Sequence, residues 1–181
     1  TSSGTINGAF DLSLTATESL VITGAIGATT ALDTVAINTT IGNLTIGGNI
    51  RVTNTGSDAI VINAGSASAA GTTTGGNIII SGSRTFTTGT GGIVKLYSGS
   101  ISDSTGLTTF IGSGSHRFRY NSDETTTNYT ATLTSGNYAI YREQPTITID
   151  ANDETVIYGI DPAKTVTVTD LKNGDTSAIV V

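Results

Sequence analysis

The chain is 181 residues long, with 8 Lys and Arg against 14 Asp and Glu and a net charge of −6. Nucleic-acid affinity comes mainly from clustered Lys and Arg, so this balance excludes a phosphate-binding surface. Cysteine and methionine are absent; the first excludes a disulfide framework and thiolate metal ligation, and the second makes the chain read as a processed product or an excised piece of a longer protein.

From residue 1 to about 111 one theme recurs. Apolar doublets at a spacing of two (Leu12/Leu14, Leu20/Ile22, Val35/Ile37, Leu44/Ile46, Ile50/Val52, Ile60/Ile62, Ile78/Ile80, Val94/Leu96) alternate with small-residue corners such as Gly47-Gly48-Asn49 and Gly75-Gly76-Asn77. A spacing of two places both side chains on one face of a strand. Gly and Asn tolerate the positive φ of sharp corners. Scarce helix formers and abundant Thr, Ile and Val predict an all-β protein. Strands this short suit stacked turns, with Ile, Val and Leu forming internal columns, better than the facing antiparallel sheets of a sandwich. The expected architecture is a right-handed parallel β-helix (solenoid) of about five turns of roughly 20–25 residues. Residues 64–74, which hold no large apolar side chain, are the expected insertion.

Composition shifts near Gly112. Acids and tyrosines concentrate beyond it, and Gly136 to Tyr141 reads as a turn and a strand. Gln144-Pro145 marks a boundary, because the residue before Pro is pushed to extended geometry. Strands follow at 146–150 and 165–169, joined by a turn at 158–162. About 35 residues make too small a core to stand alone. The predicted organisation is β-helix repeats over 1–111, a capping segment over 112–144, and part of a small β domain over 145–181. The longest apolar runs, 77–80 and 178–181, are far too short to span a bilayer.

Residues 5–16 (Thr5-Ile6-Asn7-Gly8-Ala9-Phe10-Asp11-Leu12-Ser13-Leu14-Thr15-Ala16), with Ile22-Thr23-Gly24-Ala25-Ile26-Gly27 and Thr30-Ala31-Leu32, resemble the degenerate repeats of filamentous-haemagglutinin-type exoproteins, large adhesins of Gram-negative bacteria. Residues 147–153, Val156-Ile157-Tyr158-Gly159, Asp161-Pro162-Ala163 and 170–176 look like the start of the mostly-β-grasp repeat of the same proteins, here about half its usual length. The phrase Tyr138-Ala139-Ile140-Tyr141 with Pro145 is similar to the one that joins the two. The resemblance implies a secreted, extracellular protein at the bacterial cell surface, active in adhesion or biofilm formation, and it carries over no catalytic residue.

Few constellations suit chemistry. His116 is the only histidine and lies in a Ser/Gly-rich turn, so neither a Ser–His–Asp set nor a zinc site is expected. Asp150, Asn152, Asp153 and Glu154 form the densest oxygen cluster, a candidate for calcium or a solvated strand end. Asp123 and Glu124 read as plain surface. The acids of residues 1–100 are dispersed, with Asp11 and Asp33 about one turn apart, whereas polysaccharide-cleaving β-helices need converging carboxylates. Thr clusters fall in turns without the fixed repeat an ice-ordering face requires.

The expectation is therefore a non-catalytic stalk or adhesive segment, with no cofactor and no metal. Its partners would be neighbouring repeats of the same protein, host or matrix glycans or proteins, and other copies of itself; nucleic acid and a membrane span are not among them. Phe118, Tyr120, Tyr129, Tyr138 and Tyr141 are expected to cap and pack the end of the stack, with sugar stacking as their alternative use. The alternatives to the stalk are a self-associating extracellular filament subunit and a carbohydrate-active β-helix enzyme.

Overall fold

A computed structural model describes residues 1, 3–159, 161 and 165–177. The expected 158–162 turn lies partly outside these residues, and the apolar run 178–181 wholly so.

The chain is all-β, with one short helix lying wholly within the described residues. The strands are β1 (Leu12–Ala16), β2 (Leu20–Ile22), β3 (Val35–Thr39), β4 (Leu44–Ile46), β5 (Ile50–Arg51), β6 (Ile60–Ala64), β7 (Ile78–Ile80), β8 (Phe86–Thr87), β9 (Ile93–Ser98), β10 (Phe118–Arg119), β11 (Gly136–Tyr141), β12 (Thr148–Ala151) and β13 (Val166–Thr169). The helix, α1 (Leu107–Ile111), has no counterpart in the sequence reading. It is held between Gly106 (φ 79) and Gly112 (φ 96), and buries Leu107 and Ile111.

Pairing is parallel within three sheets, ordered β1-β3-β6-β9-β11-β10, β2-β4-β7 and β5-β8, and antiparallel in a separate β12-β13 pair. From β3 to β9 the chain visits the three parallel sheets in rotation. Leu12 pairs with Val35, Val35 with Ile60 and Ile60 with Val94, so the step widens from 23 to 25 to 34 residues. The added length lies mainly between β6 and β7, where residues 65–77 replace the four-residue corner 40–43 between β3 and β4.

In-register pairing converts each doublet into an interior column. One column runs Leu14, Ile37, Ile62, Leu96, Ala139, Phe118; another runs Ile22, Ile46, Ile80. A third links Ile6, Ile26, Ile50 and Phe86 and ends on Phe110, whose ring centroid lies 4.5 Å from that of Phe86. Each fully buried Val, Leu or Ile contributes about 1.5–3 kcal/mol, so the columns are the main source of cohesion.

Corners are stitched by side chains that replace missing backbone partners. Asn43 N–H donates to Ser19 Oγ, Asn77 N–H to Asn43 Oδ1, and Ser100 N–H to Asn77 Oδ1. Asn thus serves a corner twice, as a turn former and as the acceptor for the next amide. Gly48 is required for a different reason: a Cβ there would sit 2.0 Å from the Gly24 carbonyl oxygen, and one on Gly24 would sit 1.9 Å from that of Gly4.

The rotation breaks after β9. β10 precedes β11 in sequence but lies beyond it in the sheet, so β11 inserts between β9 and β10. β12 and β13 form a solvent-exposed hairpin, with Ile149 and Val166 each about half exposed.

Candidate functional site: an aromatic–arginine end

The densest chemistry lies where β10 and β11 close the six-stranded sheet. Alternate residues of β11 serve two cores. Ala139 and Tyr141 join the main interior, while Tyr138 and Ile140 pack outside the sheet with Ile93, Tyr97, Tyr129 and Leu133. The segment between β10 and β11 therefore covers part of the outer face of the sheet, which on β1 and β3 carries Ser13, Thr15, Ala36 and Asn38.

On the interior side, Tyr141 stacks with Phe118 (centroids 6.5 Å apart, planes at 18°) and with Tyr120 (6.0 Å, 12°). The Tyr141 hydroxyl is buried and makes no hydrogen bond. The neighbouring Thr108 hydroxyl points its proton at Asn173 Oδ1 instead. Burial pushes the Tyr141 phenol up to about 12, and the nearby Glu143 charge adds to the shift. Burial likewise raises Tyr120, whose hydroxyl donates to Asp175 Oδ2 at 2.8 Å and accepts from Asn173 Nδ2 at 3.0 Å.

On the outer side the Arg117 and Arg119 guanidiniums lie over the Tyr138 ring at 5.0 and 5.3 Å, and Arg119 also lies over Tyr129 at 5.4 Å. Burial alone would raise the Tyr138 phenol. Hydrogen bonding with Thr134 and the two guanidiniums outweigh burial and hold it below its ordinary value. Arg119 Nη1 donates to the His116 and Phe118 carbonyls, while its Nε is buried without a partner. Between the two sides opens a cleft of about 430 Å³ whose lining includes His116, Arg119, Tyr120, Tyr129 and Asp175.

Of the five candidate aromatics, Phe118, Tyr138 and Tyr141 are buried and present no free ring face, whereas Tyr120 and Tyr129 are half-buried at the cleft. His116 is exposed in a left-handed conformation, φ 61. Asp150, Asn152, Asp153 and Glu154 are all exposed, and Asn152 is engaged with Thr165 and Thr167. Among the described residues no three His, Asp or Glu side chains are placed to hold a metal ion. Asp11 accepts from Thr34 Oγ1, and Asp58 pairs with Lys95 at 2.8 Å.

Two structural anchors were missed from the sequence. Asp123 and Glu124 are more than plain surface: Asp123 accepts from the amides of Ala70, Thr125 and Thr126 and from Thr125 Oγ1, and Glu124 accepts from Asn63 Nδ2. Arg142, 1% exposed, donates to the Gly76 and Thr74 carbonyls, and its carbonyl accepts from Gly71 N–H. Asp123 and Arg142 fasten the 65–77 loop, while Glu124 ties the same segment to β6. The only available signal was the loop's length, since an insertion without large apolar residues needs polar anchors from elsewhere.

The chain matches no protein-family model, no curated protein and no solved structure. No helix among the described residues is long and apolar enough to cross a membrane.

Proposed function

We propose that this chain is a non-catalytic structural segment of an exported bacterial surface adhesin, a stiff spacer holding binding modules away from the cell. On this reading the three parallel sheets are the walls of one right-handed parallel β-helix. Residues 112–144 close its end, and residues 145–181 begin a small β-grasp-like domain. The supporting observation is the rotation of the chain through three parallel sheets in constant register, with unbroken apolar columns between them. Ladder hydrogen bonds along such a stack act together against bending, which is what a spacer needs. Its partners would be neighbouring repeats of the same protein, and host or matrix glycans or proteins beyond them.

The test is replacement within the parent surface protein. Deleting residues 12–98 should reduce bacterial attachment, and an unrelated rigid repeat of equal length in their place should restore it. Failure of the replacement to restore attachment would refute the spacer role and make the segment's own surface the adhesive element.

A further inference from the structure

We propose that the cleft beside Arg119 is a glycan subsite that takes one hexuronic acid unit, with the sugar carboxylate on the Arg119 guanidinium. The cleft lies outside residues 12–98, so this inference does not rest on the spacer reading.

Charge is the first argument. In a chain of net charge −6, His116, Arg117 and Arg119 bring three basic side chains together within four residues. Among the described residues neither arginine forms an ion pair; the acid–base pair found there is Lys95 with Asp58. Both guanidiniums lie over the one Tyr138 ring, at 5.0 and 5.3 Å, so two like charges are held close with no carboxylate to balance them. An anion bound beside them relieves that repulsion.

The Arg119 guanidinium is also fixed in advance. Its Nη1 donates to the His116 and Phe118 carbonyls, and the group lies over the Tyr129 ring as well as that of Tyr138. Its buried Nε has no partner, and neither has Nη2, which is not buried. A planar cation held on two rings with donors to spare binds a carboxylate at little further cost in side-chain entropy.

The rest of the cleft selects a sugar over a bare anion. Its volume of about 430 Å³ falls within the range of about 300–1,000 Å³ common for small-molecule sites. The half-buried Tyr120 and Tyr129 line it together with Asn128, Thr130 and Asp175. Aromatic walls suit the C–H face of a pyranose ring, and the polar side chains suit its hydroxyls. Asp175 Oδ2 accepts from the Tyr120 hydroxyl at 2.8 Å, which leaves Oδ1 to accept from a ligand hydroxyl. The same carboxylate disfavours a ligand that is anionic throughout, such as a phosphate or a densely sulfated sugar. A hexuronic acid carries one acidic end and hydroxyls elsewhere, which is the complement of this lining.

Titration of the full 181-residue chain, followed by amide chemical shifts, tests this with three probes. Methyl β-D-glucuronide should bind saturably with a dissociation constant on the order of 1 mM and shift the amides of Arg119, Tyr129 and Thr130. The neutral methyl β-D-glucoside and acetate should each bind about tenfold more weakly or less tightly still. Arg119→Gln should weaken the glucuronide about tenfold or more. Thr130→Asp, a change at an exposed cleft residue, adds a repelling charge and should also weaken it; it serves as the readout should Arg119→Gln fail to fold. Acetate binding as tightly as the glucuronide would reduce the cleft to a carboxylate site, and equal binding of the glucoside would remove the role of Arg119. Either result, no saturable shift, shifts confined to residues outside the cleft, or folded variants that bind like the parent chain would overturn the proposal. Each of these outcomes leaves the spacer reading of residues 12–98 standing.

Discussion

Tyr141 offers the sharpest test of how the aromatic end is held. Tyr141→Phe keeps the ring stacked with Phe118 and Tyr120 and deletes only a buried hydroxyl that has no hydrogen-bond partner. A buried unsatisfied polar group costs about 1–3 kcal/mol, while the vacated space returns part of that cost as lost contact. The variant should therefore be as stable as the parent near neutral pH, or more stable by about 1 kcal/mol. At alkaline pH the difference should widen. The phenol is raised from its ordinary 10.0 to about 12, so its contribution is fully present below about pH 10 and is lost as pH rises through about 12. A two-unit shift corresponds to about 3 kcal/mol. Guanidinium unfolding curves between about pH 9 and pH 12, with phenolate absorbance recorded in parallel, should show the parent losing stability faster than the variant. Tyr97 and Tyr120 are also raised by burial and leave the variant a residual slope of the same sign. Superimposable alkaline profiles, or a variant about 2 kcal/mol less stable at neutral pH, would refute the reasoning.

Gly48→Ala should destabilise by about 1–3 kcal/mol or more in chemical denaturation, since its Cβ meets a backbone oxygen that cannot step aside. Gly4→Ala, with nothing within 4 Å of the added Cβ, should be near neutral. Ile62→Ala, in the middle of the longest interior column and fully buried, should cost about 2–5 kcal/mol. The Asp123 carboxyl is raised by burial but lowered more by its bonds from Thr125, Ala70 and Thr126, so that it lies below its ordinary 3.8. Its contribution is therefore present above that value and lost as pH falls through the folded one, and Asp123→Asn should flatten the acid limb of the stability profile. Arg142→Ala should release the 65–77 loop, read as faster proteolytic cleavage there than in the parent chain.

Much of the sheet structure was legible because period-two burial is a local property. All eight doublets lie in strands, with Val52 in a bridge just beyond β5. The strands expected at 146–150 and 165–169 appear as β12 and β13, shifted by one or two residues. The failures share a physical cause. β8 and β10 have only two residues and α1 only five, too short for any periodicity to register. In sequence the five aromatics read as one set, yet strand alternation sends Tyr138 and Tyr141 to opposite faces. Arg142 and Asp123 act over separations of more than fifty residues, so their identities as anchors exist only once the loop they hold is in place.

The insertion of β11 between β9 and β10 ties these observations together. A two-residue strand placed directly against β9 would leave most of its six residues unpaired, whereas β11 matches β9 along its full length from Gly136↔Ile93 to Tyr141↔Ser98. Matching requires the chain between β10 and β11 to return across the sheet. That return lays Asp123 and Glu124 against Ala70 and Asn63, and Tyr129 and Leu133 against the outer face. Ending the sheet, covering its outer face and fastening the 65–77 loop are thus one structural event. A substitution that weakens the β9–β11 ladder should loosen the loop as well, although the two lie far apart in sequence. Hydrogen exchange at Gly71, whose amide bonds the Arg142 carbonyl, should accelerate together with exchange at Arg142, whose own amide donates to the Ser98 carbonyl of β9, in such a variant; independent exchange at the two positions would separate the events.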